Sequence, residues 1–361
     1  MFNPDIIVSA PGRICLLGEH QDYLGLSIIA AAIDLRIFVC AQCSEEENIW
    51  VDLPDISDHE KFPLNQEIPY TKNRDYLKSG LNILHRKGIR FPSGWKCFIH
   101  GDIPINSGTA SSSALVVAWL KFLLEAAENP IAVNPADLAE LGFQAEVAEF
   151  HEPGGKMDHY ASALGGIITI DFDESVSVRS LSNPLKKFVL ADSKERKDTT
   201  GTLGQIKSRV HEALAMIQTK IPFFNLRSTR TPDIDAEIAG LPPELGKTLE
   251  GTLQTRDLTS EGVRLFDSPE FDHRRFGELL NLQYQVQREK LNVSTPKMDR
   301  MIEASLQAGA IGAKINGSGE GGCLFAYTPD RAAEVAEALK YEGADTYILN
   351  IGEGVHRENW D

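Results

Sequence analysis

Residues 10–23 read Ala10-Pro11-Gly12-Arg13-Ile14-Cys15-Leu16-Leu17-Gly18-Glu19-His20-Gln21-Asp22-Tyr23 and directly follow the apolar run Ile6-Ile7-Val8-Ser9. An arginine, two acids and a histidine are more polar groups than a core strand can hold, so the segment reads as a turn leaving a strand for a helix. Carboxylates and an imidazole exchange hydrogen bonds with hydroxyls, and a guanidinium neutralises anionic charge. The string therefore suits a polyhydroxylated ligand beside a reacting phosphate. Taken singly, Glu19 or His20 reads equally well as a solvated loop residue.

A chain of 361 residues exceeds what one apolar core usually serves, so two domains sharing a cleft are expected. In the first half, Ile28 to Val39 and Trp95 to His100 read as strands, and Ala114 to Ala127 as a helix. A second helix runs from Pro135 to about Glu149, with Asn134 as its N-cap, and ends at Pro153-Gly154-Gly155. Beyond it, Ile167 to Phe172, Lys187 to Asp192 and Cys323 to Tyr327 read as strands, and Thr202 to Thr219 as an amphipathic helix. The close reads as a helix from Arg331 to Tyr341 and a strand from Thr346 to Ile351. The polar stretch around 174 to 186 is the expected boundary, giving domains 1–180 and 181–361.

A net charge of −16 argues against a protein that wraps nucleic acid or coats an anionic membrane. A nucleotide can still be held where glycine amides, a few cations and a metal supply a local positive field. No run approaches the length of a membrane span, and no basic segment precedes an apolar one at the N-terminus, so the expected location is the cytoplasm. Five cysteines without framework spacing argue against a disulfide scaffold, and Cys40-Ala41-Gln42-Cys43 lacks the second ligand pair of a zinc site. The oligomeric state is not readable from the sequence.

Three further clusters carry chemistry. Asp102 to Ala114 contains Gly108, Thr109, Ala110, Ser111, Ser112 and Ser113 and runs into a helix, which makes it an anion site at a helix N-terminus. It is neither a Walker A loop nor a nucleophile elbow. Its plainer reading is a serine-rich cap. Gly309 to Cys323 holds six glycines, which allow close backbone approach to a ligand or simply a flexible hairpin. Asp158 follows a Gly-Gly turn and precedes a helix, where it reads as a cleft general base or as a helix cap; Glu146 on the preceding helix can ligate a hard cation such as Mg²⁺.

Together these segments resemble the GHMP kinase superfamily, and Gly12 to Tyr23 resembles the galactokinase signature G-R-x-N-L-I-G-E-H-x-D-Y with Cys15 in place of Asn. The serine loop is similar to the family's second motif, although Asn106 and Ser107 stand where glycines are common and Ala110 replaces Leu; Leu291 to Asp299 with Gly312 to Cys323 is similar to the third. The resemblance implies an α+β fold of two domains, an N-terminal one like ribosomal protein S5 domain 2 and a ferredoxin-like C-terminal one, with ATP and a sugar meeting in the cleft. It implies Asp158 as catalytic base with Arg13 as partner, Glu146 and Ser113 as Mg²⁺ ligands, and Gly108 to Ser113 with Gly317 and Gly319 against ATP. Glu19, His20, Asp22, Tyr23 and Gly155 would hold the sugar, whose anomeric hydroxyl would attack the γ-phosphate.

Departures from the pattern concern the sugar. The signature lies closer to the N-terminus than in galactokinases, the family's sugar-contacting tyrosine falls at Gly204, His159 replaces the Gln beside the base, and Lys156 adds a cation just before it. These point to a galactose-like sugar of different size or charge, such as L-arabinose, a uronic acid or a substituted hexose. A sister kinase for mevalonate or homoserine has no reason to carry Glu19, His20 and Asp22, and a sugar sensor without activity has no reason to keep Arg13, Ser113, Glu146 and Asp158.

Overall fold

The computed structural model describes residues 2–359. The first half builds β1 (Ile6–Leu17), β2 (Ile28–Ser44), β3 (Asn48–Leu53), β4 (Asp58–Pro63), α1 (Tyr76–Arg86), β5 (Gly94–Gly101), α2 (Ser111–Ala126), α3 (Pro135–Phe143), α4 (Met157–Leu164), β6 (Ile167–Phe172) and β7 (Val176–Leu181). The second builds β8 (Phe188–Asp192), α5 (Thr199–Lys220), α6 (Asp235–Ala239), α7 (Pro243–Phe266), α8 (His273–Glu289), α9 (Pro296–Gln307), β9 (Gly312–Ile315), β10 (Cys323–Tyr327), α10 (Ala332–Tyr341), β11 (Asp345–Leu349) and β12 (His356–Arg357). No helix among the described residues is long and apolar enough to cross a membrane.

The long strand β2 is the spine of an eight-stranded sheet: it pairs β1 along one edge, and β6 and β5 along successive parts of the other. The chain then passes to a four-stranded antiparallel sheet ordered β11-β8-β10-β9, which is the ferredoxin-like order of a β-α-β-β-α-β unit, before β12 returns to pair β1. The fold is thus the α+β arrangement expected.

All residues of β1 are buried, because both of its faces are covered. Val8, Ala10 and Cys15 pack toward α1 to α4, in the core that holds Trp119 and Phe122; Ile14, Leu16 and Leu17 pack with Phe188, Leu190 and Phe325 of the second sheet and Phe276 of α8. The expected turn at residues 10–17 is corrected here, since the signature's first half is the continuation of β1 and only Gly18 onward leaves it. The strand accommodates Arg13 because its register against β2 shifts between Pro11 and Arg13 and again between Cys15 and Leu17, which re-aims side chains locally. Two helix limits also move. Helix α2 begins at Ser111 instead of Ala114, so the three serines form its first turn. Helix α3 ends at Phe143 and passes into a π-helical turn, Gln144–Ala148, with the N–H of Glu149 donating to the carbonyl of Gln144 at 3.0 Å.

Candidate active site in the interdomain cleft

Arg13 projects from β1 and Asp158 from the first turn of α4. The guanidinium grips the carboxylate with both ends, Nε donating to Oδ1 at 2.8 Å and Nη2 to Oδ2 at 2.9 Å, while Nη1 donates to the Gly108 carbonyl. Burial works against the charge on Arg13, but Asp158 together with Cys15 and Glu19 outweighs it and raises the guanidinium above its ordinary range. Exposure differs across the pair, 5% for the Arg13 side chain and 28% for that of Asp158. The carboxylate is therefore the more open member of the pair. Gly12 allows this packing, because a Cβ there would lie 2.8 Å from the Thr109 carbonyl.

The chain enters α2 through Gly108 (φ +88°) and Ala110 (φ +61°), both left-handed, and no side chain caps the helix. The first-turn N–H groups thus point into the cleft with the positive end of the helix dipole. Gly108, Ala110, Ser111, Ser112 and Ser113 line a cavity of about 160 Å³ together with Arg13 and Asp158. Thr109 does not line it: its hydroxyl donates to the Pro104 carbonyl at 3.3 Å and the residue is buried away from the cleft.

Glu146 reaches this cavity from the π-helical turn, a distortion that turns a side chain out of the regular helical register. Its Oε2 accepts from Nε2 of buried His159 at 2.7 Å. Burial pushes the carboxyl up, but the bonds from His159, Ser112 and Ser113 win and hold it below the usual range. An ionised carboxylate beside the Ser113 hydroxyl is a pair of hard oxygen donors that fits Mg²⁺, which habitually completes its shell with water and phosphate.

On the other side, the chain leaves β1 through Gly18 (φ +101°) and His20 (φ +63°). Glu19 forms a fully buried ion pair with Lys314 of β9, whose ammonium also donates to the Cys15 carbonyl at 3.0 Å. Tyr23 Oη and His20 Nδ1 share a hydrogen bond of 2.8 Å. Asp22 accepts from the N–H groups of Tyr23 (2.9 Å) and Met157 (3.3 Å) and sits so close to Gly155 that a Cβ there would be 1.9 Å from its Oδ2. Burial and the neighbouring Asp158 raise Asp22 to about 6, and burial with Lys314 and Lys197 nearby lowers His20 to about 4. Glu19 Oε2, His20 Nε2 and Ser318 Oγ are buried without partners among the described residues, and their residues line the cavity. Such atoms are what sugar hydroxyls would satisfy.

Of the third cluster, Gly317 lines the cavity, whereas Gly319 packs against Val293, with 2.6 Å to Val293 Cβ from where its own Cβ would stand. Lys156 turns away to Glu140 (2.7 Å) and lies over the Phe143 ring, so it brings no cation to the ligand. Gly204 lies in the first turns of α5, with nothing within 4 Å of where its Cβ would stand; the neighbouring Leu203 lines the cavity. Sequence reasoning passed over Lys314, Asn316 and Lys197. Asn316 stitches the site together, its Oδ1 accepting from Cys15 N (2.9 Å) and its Nδ2 donating to the Gly108 carbonyl (2.8 Å). Both Lys314 and Asn316 lie inside the glycine-rich cluster, which was the available signal. A larger cavity of about 790 Å³, lined by Arg74, Asn106, Phe150, Lys197 and Thr199 among others, adjoins the site and is roomy enough for a nucleotide.

Comparison with known proteins matches residues 75–166 to the GHMP kinases N terminal domain, 266–345 to the GHMP kinases C terminal domain, and 2–43 to the galactokinase galactose-binding signature. The chain is 25% identical to a galactokinase of Actinobacillus succinogenes over 98% of its own length and 95% of the relative's. It is 28% identical to a mevalonate kinase of Pyrococcus furiosus over 96% of each chain. Among solved structures, Lactococcus lactis galactokinase in complex with galactose superposes with a TM-score of 0.85 at 24% identity, covering 97% of this chain and 94% of that one. Methanococcus jannaschii mevalonate kinase superposes with a TM-score of 0.73 at 20% identity, covering 96% and 98%.

Proposed function

The chain belongs to the GHMP kinase superfamily, and on that premise we propose that it is a sugar-1-kinase, transferring the γ-phosphoryl group of ATP to the anomeric hydroxyl of a galactose-like monosaccharide. The observation that carries this reading is the paired Arg13 and Asp158 in one cavity with the α2 N-terminus on one side and Glu19, His20 and Asp22 on the other. A hydroxyl held beside Asp158 loses its proton to that carboxylate as its oxygen attacks phosphorus. Arg13 keeps Asp158 oriented until then. The N–H groups of Ser111 to Ser113 meet the phosphate oxygens, so charge spreading in a loose transition state falls on fixed dipoles. Mg²⁺ held by Glu146 and Ser113 would supply further neutralisation of the nucleotide phosphates.

The sugar side is acidic and hydroxyl-seeking. On this side Lys314 is spent on Glu19 and Lys156 faces away, so a neutral sugar fits better than a uronic acid. ADP release measured over galactose, L-arabinose, galacturonate, a 6-substituted hexose, methyl galactoside and mevalonate tests the proposal. Turnover of a neutral sugar, none with the 1-O-methyl glycoside, and a loss of about 10²- to 10⁴-fold in Asp158→Ala are expected. Mevalonate turnover without sugar turnover overturns it in favour of the sister kinase; sugar binding without ADP release leaves a sensor.

A further inference from the structure

Lys197 lies on the segment between β8 and α5, outside every motif that marks the site. Its backbone is held at both ends. The Glu195 carbonyl accepts from Gly322 N at 3.1 Å, and Asp198 caps α5 by accepting from Gly201 N at 3.0 Å. The side chain then runs through a gap that two glycines leave open. A Cβ on Gly322 would lie 3.1 Å from Lys197 Cδ, and one on Gly108 would lie 2.6 Å from Nζ. The stem of a domain-two lysine thus delivers its ammonium to the phosphate loop of domain one.

That ammonium is shielded from solvent and has no hydrogen-bond partner among the described residues. Nearby carboxylates are already engaged: Asp158 with Arg13, and Asp192 with the Ser107 hydroxyl (2.9 Å) and the Lys194 N–H (2.9 Å). Burial and the field of Arg13 lower its pKa to about 8. A buried cation between a guanidinium and a helix N-terminus is costly unless an anion completes the site. Lys197 also lines both the inner cavity and the larger one beside it, so it stands where the two meet.

We propose that Lys197 is a catalytic residue that holds the γ-phosphoryl group during transfer, gripping it from the second domain while Arg13 and the α2 N-terminus face it from the first. The proposal rests on the kinase reading above. In the step itself, the bond from the sugar oxygen to phosphorus forms and the bond from phosphorus to the β–γ bridging oxygen breaks. Its electron pair stays on ADP and the sugar proton passes to Asp158. Lys197 keeps its protons and donates hydrogen bonds to the non-bridging oxygens as their charge shifts.

Lys197→Met keeps the stem packed over Gly322 and removes the charge, and Lys197→Arg keeps the charge. Binding of Mg·ADP and of the non-hydrolysable β,γ-imido analogue of ATP is measured by calorimetry for each, with kcat and KM on the fastest panel sugar and a thermal melt to verify folding. In Lys197→Met, kcat is expected to fall about 10²-fold or more with the sugar KM nearly unchanged. The imido analogue is expected to lose affinity while ADP does not, and Lys197→Arg to recover part of both. A Lys197→Met protein that keeps its kcat, or that loses ADP and the imido analogue equally, overturns the assignment and leaves the kinase reading intact. Selective loss of the imido analogue in a protein that phosphorylates none of the panel supports Lys197 as the γ-phosphate cation while removing the sugar-kinase reading.

Discussion

Asp22 and His20 show how one cavity sets two side chains in opposite directions. Asp22 sits near 6 where 3.8 is ordinary, so between those values the folded state holds a proton that the unfolded chain releases. Its contribution to stability therefore falls as pH rises through that window. Asp22→Asn carries no such dependence, and its melting temperature relative to the native protein is expected to climb from pH 4 to pH 7, when both are scanned across that range. A flat difference would mean that Asp22 is not held in this environment. The sequence made Asp22 and His20 legible as polar groups near a ligand. It could not show that they are removed from water, because the atoms that remove them, such as Gly155 against Asp22, come from distant segments.

At the scale of elements, β1, α2 and the π-helical turn after α3 each bring a functional group to the cleft through a local irregularity. The alternation that betrays a strand was masked in β1 because both faces are buried, and the serines that looked like a loop are a helical turn. The π turn is held by α4 through the bond of His159 to Glu146. His159→Leu leaves a buried carboxylate oxygen unpaired, and we expect a loss of about 1–3 kcal/mol in chemical denaturation. His159→Gln can restore a donor and is expected to recover most of it. Equal losses in the two variants would point to packing of the ring against Gly142 and Phe143 instead.

Across the whole molecule, the ion pair of Glu19 and Lys314 ties the signature to the second sheet, with both side chains essentially without solvent contact. Lys314→Met strands a buried carboxylate beside the Cys15 carbonyl, and a loss of about 3–5 kcal/mol is expected from urea titration. The double variant with Glu19→Gln is expected to lose less than the sum of the two single ones. An additive result would show that the charges act independently. By itself the sequence determined the family and the two-domain α+β fold, and it put the motifs in order with Arg13, Asp158 and the serine segment as candidates for the site. Only the tertiary structure decided which polar groups face the cavity and which are spent on one another. Thr109, Gly319 and Lys156 turn away, Lys314 is consumed by Glu19, and Lys197 arrives unpaired. The physical reason is distance along the chain. Partners such as Glu19 and Lys314 stand 295 residues apart, and neither burial nor pairing exists until folding brings them together.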